Sequence, residues 1–384
     1  MFTLAIQYPS FGPQHPPRLE AIAKASPYPE AKVVAMEMFK KDSDYDWDPI
    51  AYSSNLYERY TVMDSESAVA RKHYFKLRSA VFRALDEIKP DVLLVNGWGH
   101  RESRISMHWC RKHGVKMVLL SDSVKENTHR YWLKELAKKW VIRGCKSAFV
   151  AGTPQARYVE YLGIPKENIF YPGSCVVDND YWQTEAVKAR ANQKELREKF
   201  NLPEEYFLCV SRFIKFKNIP FVLKAYAKYE KLAGTNAMGL VLCGSGPEEN
   251  IIRTLIRELN LNNLLLPGFI QYNQLPVFFA LASCFIFPSL FFEPWGLVAN
   301  EAMACGLPLL ISNKCGCVED LLKEGVNGYI FDPSDSEQLA ELMSRISKDN
   351  AKLAEMGKES KRLIDAYSCK IAAHNLWKAC NEAL

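Results

Sequence analysis

Glu293 and Glu301 stand eight positions apart in the string Phe292-Glu293-Pro294-Trp295-Gly296-Leu297-Val298-Ala299-Asn300-Glu301. Pro294 and Gly296 keep Glu293 in a loop, because neither suits a helix interior. From Leu297 the run LVANEAMACG favours helix and stops at Gly306. The amides of Gly296, Leu297 and Val298 would then form a helix N-terminus, where free N–H donors and the helix dipole attract phosphate. Two carboxylates beside a phosphate would repel it. Aimed at neutral hydroxyls instead, they become acceptors for a ribose diol or a sugar.

A second string, Ser211-Arg212-Phe213-Ile214-Lys215-Phe216-Lys217-Asn218, follows an apolar run. Basic groups at the carboxyl end of a strand can neutralise a diphosphate, Arg as a planar fork and Lys as a point charge. A third, Cys243-Gly244-Ser245-Gly246-Pro247-Glu248, lies between a strand-like and a helix-like stretch. Its glycines permit a tight turn and close approach of a ligand. It lacks the third glycine of the dinucleotide fingerprint.

The elements that must position these groups are short apolar runs alternating with amphipathic stretches, the pattern of βαβ units. Strands are expected at 2–8, 31–39, 91–98, 116–123 and 147–152, with helices over 67–89, 103–113 and 153–162. Segment 40–60, polar and aspartate-rich, reads as a long loop. The rhythm restarts with strands at 206–213, 238–246, 264–270, 284–290, 307–312 and 327–331. Continuous apolar strands imply sheets covered on both faces. The break lies near YPGSCVVDNDYW (171–182), with a charged helix at 185–200 after it. The expected architecture is α/β, two doubly wound domains joined near 175. Ligands of such sheets bind beyond the carboxyl ends of the strands.

Together, EPWGLVANEAMACGLP, RFIKFKN and GSGPEE resemble the retaining glycosyltransferases of the GT-B fold, family 4 (glycosyl transferases group 1). The resemblance is strong over 205–335 and architectural elsewhere. It implies two Rossmann-like domains facing a central cleft. The acceptor-side domain would be 1–174, joined by a C-terminal helix at about 366–384, and the nucleotide-sugar domain 175–365. It implies transfer from a nucleotide sugar, UDP-linked before GDP-linked, with retention and without a metal or other cofactor. Arg212 and Lys217 would hold the diphosphate, with amides at Gly296, Leu297 and Val298 and the turn at Gly244 and Gly246. Glu301 would take the ribose hydroxyls, Glu293 the donor sugar, and the backbone of Phe269 and Ile270 the base.

The first half matches the family less closely. Many relatives carry a Gly-Gly pair in the first loop, where this chain has PSFGPQHPPRLE with Gly12, His15 and Arg18. Many also place a histidine after the strand equivalent to 116–122. Here the string is Ser121-Asp122-Ser123, with His129 and Arg130 farther on. Asp122 is the favoured cleft-facing, catalytic candidate, with a helix-capping role as its equal alternative and His129 as competitor; Gly12, His15, His129 and Arg130 are expected on the acceptor side. Trp98 and Glu102, from the string after strand 91–98, are expected on the acceptor side, alongside a core-turn reading of Trp98. The acceptor would be a saccharide, a lipid-linked group or a small molecule.

Three other strings invite chemistry. Asp178-Asn179-Asp180 has the form of a metal-binding Asp-x-Asp but falls in the expected hinge, where turn chemistry explains it. Asp42, Asp44, Asp46 and Asp48 lack the glycine and final glutamate of a calcium loop and read as solvated charge. The stretch Tyr131–Lys146 places Trp132, Leu136 and Trp140 on one face and Lys134, Lys138, Lys139 and Arg143 largely elsewhere. It reads as a core-facing helix, with peripheral contact to an anionic membrane as the competing reading.

The chain has 384 residues, a net charge of +5, 48% hydrophobic and 24% charged residues. These values suit a globular two-domain protein and give no sign of nucleic acid as a partner. No apolar run is long enough to span a bilayer, and the N-terminal string lacks a signal-peptide pattern. The 11 cysteines contain no Cys-x-x-Cys pair and read as buried free thiols; Cys315-Gly-Cys317 is the one close pair. A cytoplasmic location, peripheral at a membrane in the competing reading, is the expectation. The alternatives to a transferase are a GT-B sugar-nucleotide epimerase and a non-catalytic nucleotide-sugar-binding subunit.

Overall fold

In the computed structural model, residues 1–41, 54–67, 71–125, 131–291 and 293–384 are described. The chain forms two units, one of residues 1–178 with 367–384 and the other of 179–366. The division falls between Asp178 and Asn179, a few residues after the 174/175 boundary read from sequence.

The first unit contains β1 (Thr3–Tyr8), α1 (His15–Lys24), β2 (Lys32–Lys41), β3 (Glu58–Glu66), α2 (Tyr74–Ile88), β4 (Val92–Asn96), α3 (Arg101–His113), β5 (Lys116–Ser121), α4 (Trp132–Ile142), β6 (Cys145–Val150), α5 (Thr153–Leu162) and β7 (Ile169–Phe170). Its seven strands run in the order β3-β2-β1-β4-β5-β6-β7, every pair parallel. All six residues of β1 are buried, as two covered sheet faces require.

The second unit contains α6 (Asn179–Ala191), α7 (Gln193–Phe200), β8 (Tyr206–Val210), α8 (Ile219–Ala233), β9 (Gly239–Cys243), α9 (Glu249–Glu258), β10 (Leu264–Gly268), α10 (Leu275–Leu281), β11 (Cys284–Phe287), α11 (Leu297–Ala304), β12 (Leu309–Ser312), α12 (Val318–Leu321), β13 (Gly328–Phe331), α13 (Ser336–Ser347) and α14 (Asn350–Ile364). Its six parallel strands are ordered β10-β9-β8-β11-β12-β13. The last helix, α15 (Cys369–Ala383), belongs to the first unit. Leu376, Trp377 and Cys380 join Leu4, Ile6 and Ile22 in one buried cluster. Trp377 Nε1 donates to Ile22 O at 2.8 Å, and Ser147 Oγ to Ala379 O at 2.6 Å.

Two expectations are corrected. Residues 58–60, read as loop, begin the strand β3. Its exposed Glu58, Arg59, Asp64 and Glu66 are the charges that sheet edges carry to discourage further pairing, and they hide a strand pattern. Of the helix expected over 67–89, Tyr74–Ile88 is helical. Finally, the helix around Tyr131–Lys146 turns its apolar face outward: Trp132, Leu136 and Trp140 are exposed, while Glu135 and Ile142 are buried. Amphipathic periodicity reports a face and not what covers it. The aspartates at 42, 44, 46 and 48 lie outside the described residues.

Candidate functional site

Strand order reverses between β8 and β11 in the second unit. The crevice at such a reversal, beyond the strand ends, is where open parallel sheets take ligands. The loops after these two strands carry the two basic and acidic strings.

After β8 the chain makes a short 3-10 turn at Lys215–Lys217 and enters α8 through Asn218, which adopts a left-handed φ of 55°. This brings Lys217 Nζ into an ion pair with Glu293 Oε2 from the loop after β11. Both side chains are 14% exposed. Ser289 Oγ donates to the same carboxylate oxygen at 2.9 Å. The Lys217 ammonium also lies 5.3 Å from the Phe287 ring centroid. The backbone fixes Glu293 as firmly: its N–H donates to Lys314 O at 2.9 Å, and Gly316 N–H donates to its carbonyl at 2.8 Å. Lys215 and Arg212 are exposed.

Gly296 precedes α11 with φ 99°, and a Cβ there would lie 2.2 Å from the Phe287 ring. Glycine is therefore required for the turn that starts the helix at Leu297, and no side chain caps its N-terminus. Leu297 and Val298 are partly exposed at that end, whereas Glu301 is buried one turn farther in. Trp295 Nε1 donates to Asn300 Oδ1 at 2.9 Å, both residues being buried; this bond locks the loop to the helix. Gly244 adopts φ 144°, and a Cβ there would meet Ser211 O at 1.8 Å. Its N–H donates to Gly268 O at 2.8 Å, tying the β9 loop to the end of β10. A Cβ at Gly246 would meet Phe213 O at 2.6 Å. Phe269 is exposed and Ile270 partly exposed just after β10.

Cys315 and Cys317 sit beside this pair. Burial pushes both thiols well up, and the Glu293 charge adds to the rise. Neither is a thiolate at neutral pH. Asp178-Asn179-Asp180 spans the division between units, and Asn179 Nδ2 donates to Ile364 O at 3.0 Å. Among the described residues no group of three or more His, Cys, Asp or Glu side chains is placed to hold a metal ion.

In the first unit the reversal falls between β1 and β4. The loop after β1 is pinned from below. Glu37 on β2, fully buried, accepts from Phe11 N–H at 2.9 Å, from Thr61 Oγ1 at 2.9 Å and from both Nε and Nη2 of Arg59. Sequence reasoning missed Glu37, because its partners come from two segments far from it in the chain, the loop after β1 and strand β3. His15 Nδ1 accepts from Gly12 N–H at 2.7 Å, which leaves its proton on Nε2. Burial, with Arg18 and Arg59 nearby, pushes its pKa down to about 3, so this ring is neutral.

Trp98, partly buried, packs edge-on against Tyr158, with centroids 5.7 Å apart. Glu102 is buried and pairs with Arg71, with Nη2 at 2.7 Å. Asp122 accepts from Ser174 Oγ at 2.9 Å. Burial pushes its carboxyl above the usual aspartate range, against the lowering influence of Ser174, Cys175 and Arg18. Arg18 Nε donates to Val176 O at 2.8 Å, and its buried Nη2 makes no hydrogen bond. Arg18 thus adds to the positive field that favours the Asp122 carboxylate, a coupling that sequence spacing does not reveal. His129 and Arg130 lie outside the described residues.

The fold is that of the GT-B class: two parallel-sheet, Rossmann-like α/β units. Residues 192–363 match the family model described as Glycosyl transferases group 1. The chain is 31% identical over 147 residues to the uncharacterized glycosyltransferase MJ1607 of Methanocaldococcus jannaschii, covering 38% of this chain and 36% of that protein. It is 25% identical over 228 residues to a GDP-mannose-dependent alpha-(1-6)-phosphatidylinositol monomannoside mannosyltransferase of Mycobacterium tuberculosis, covering 57% and 56%. The chain thus spans from about a third to about half the length of these curated relatives. Among solved structures it is similar to Anabaena Alr3699/HepE in complex with UDP, with TM-score 0.70, 17% identity and 100% of both chains covered. No helix among the described residues is long and apolar enough to cross a membrane.

Proposed function

We propose that the protein is a retaining glycosyltransferase that moves a sugar from a nucleotide-sugar donor to an acceptor hydroxyl. The observation that carries this reading is the Lys217–Glu293 pair at the β8/β11 reversal, beside the uncapped start of α11. A cation and a helix N-terminus suit a diphosphate; a carboxylate a few ångströms away suits the attached sugar, where positive charge develops. Lys217, Arg212 and the amides of Leu297 and Val298 would stabilise the departing diphosphate. Glu301 would receive the ribose hydroxyls.

In the transfer, the bond from the anomeric carbon to the diphosphate oxygen breaks and the acceptor oxygen bonds to that carbon on the same face. The acceptor proton passes to the departing phosphate oxygen. No protein nucleophile is needed. A UDP-sugar is the first donor to test, since the Anabaena neighbour is solved with UDP; the mycobacterial relative makes GDP-mannose the second. The acceptor is a saccharide, a lipid-linked group or a small molecule, and Asp122 is the proposed assisting group of the first unit.

The experiment is calorimetric binding of UDP- and GDP-sugars, followed by NMR of the product's anomeric configuration. Tight donor binding and a retained anomer support the reading; an inverted anomer removes it. Donor epimerised without acceptor would mark an epimerase instead, and binding without turnover across diverse acceptors a binding subunit. Turnover is expected to survive EDTA. Loss restored by Mg²⁺ or Mn²⁺ would return Asp178-Asn179-Asp180 as a metal site.

A further inference from the structure

Helix α4 carries its large apolar side chains into solvent. Trp132, Leu133, Leu136 and Trp140 are 68%, 62%, 53% and 68% exposed. Residues 132, 136 and 140 recur at one-turn spacing and so stack along one face. The opposite face is anchored: Ile142 is buried, and the buried Glu135 accepts from Lys138 Nζ at 2.7 Å and Tyr158 Oη at 2.9 Å. Glu135 is the only acid of the helix, and this arrangement holds it away from the exposed face.

Among the described residues, basic charges predominate around the apolar stripe. Lys134, Lys139 and the C-capping Arg143 are on the helix itself. Lys125 and Lys139 each place an ammonium over the Tyr161 ring, at 4.7 and 4.6 Å. Glu160, beside Tyr161, is the exposed acid of the neighbouring helix. A single exposed leucine is ordinary, but a contiguous stripe of two tryptophans and two leucines is a docking face. Indole rings favour the boundary between water and hydrocarbon, and lysine stems reach from apolar surroundings to phosphate. An apolar stripe rimmed by cations is complementary to an anionic bilayer.

We propose that α4 is a peripheral membrane-docking helix, seating Trp132, Leu136 and Trp140 among the headgroups of an anionic lipid surface. Lys134, Lys139 and Arg143 meet the lipid phosphates. The proposal stands apart from the transfer reaction and does not depend on it.

The test is co-sedimentation of the full chain with phosphatidylcholine vesicles, with and without phosphatidylglycerol. Binding is expected on the anionic vesicles, weakening as salt rises. Replacing both Trp132→Ala and Trp140→Ala should lower the partition coefficient about tenfold or more. Lys134→Gln and Lys139→Gln should each lower it about fivefold. Circular dichroism and elution volume check that these surface variants remain folded. Absence of binding to anionic vesicles overturns the proposal. So does binding that ignores the loss of both tryptophans, which would reduce it to general charge attraction. A lipid-free dimer that dissociates in the tryptophan variant would assign the face to a second copy of the chain, and would overturn it too.

Discussion

Both sheets reverse strand order beside a buried central strand, β1 in one unit and β8 in the other, yet the loops at the two reversals are built differently. In the second unit Lys217 and Glu293, one from each loop, meet side chain to side chain, and glycines bring the backbone to within contact at 244, 246 and 296. In the first unit the charges near the reversal are already engaged: Glu37 by Arg59 and the Phe11 amide, Glu102 by Arg71, and His15 held neutral. One reversal pairs a cation and a carboxylate from its two loops, the pair proposed to meet the donor, and the other uses its charges to hold loops. The same topology thus carries the proposed diphosphate site in one unit and a hydrogen-bonded loop network, a platform, in the other.

The sharpest way to break this contrast is Glu293→Gln. The variant keeps the size and removes the charge that would face the sugar as positive charge develops. Turnover should fall roughly 100–1,000-fold, the scale of losing one preorganised electrostatic group, with donor affinity by calorimetry changed far less. Loss of affinity alone would mean that Glu293 serves binding and not the transition state.

Lys217→Ala comes next. Removing a charge-assisted contact worth about 1.5–3 kcal/mol should weaken donor binding about 10- to 100-fold. Exposed Lys215, two residues earlier, should matter little when changed to alanine. Equal losses in the two variants would reduce the site to a general basic surface. Glu301→Gln should follow, raising the donor KM about tenfold at nearly constant kcat, because the hydrogen bonds proposed for it to the ribose would persist from ground state to transition state. A fall confined to kcat would exchange the roles of the two glutamates.

The second unit was the more legible for a physical reason. Its motif residues lie within single strings, so strand, turn and helix start can be read together: β8 ends at Val210 and β11 at Phe287, just ahead of the strings that matter. The first unit's networks join residues far apart in the chain, such as Glu37 with Arg59 and Asp122 with Ser174. Spacing carries no trace of such pairs. The charged edge strand β3 and the outward-facing α4 were misread for a related reason, since polarity and periodicity are local while burial is set by whatever packs alongside.

The smallest effect on turnover, and the cleanest probe of the platform, is expected in the pH dependence of stability. His15 has a pKa of about 3 in the folded chain, against an ordinary value near 6.5. Below that ordinary value the unfolded chain takes up a proton that the folded chain refuses. Stability from this group is therefore complete above about pH 6.5 and is lost progressively as pH falls toward 3. By pH 4.5 the loss should reach roughly 2–3 kcal/mol. Asp122 acts in the opposite sense. Its carboxyl is raised by burial, so its contribution is complete below the ordinary aspartate value near 4 and declines as pH rises above it. Urea unfolding of the wild type, His15→Gln and Asp122→Asn at pH 4.5 and 7.5 separates the two. His15→Gln should flatten the fall in stability on acidification, and Asp122→Asn should steepen it. Unchanged pH dependence in the His15 variant would mean that the ring is not held neutral, and the description of this loop as a fixed platform would fail with it.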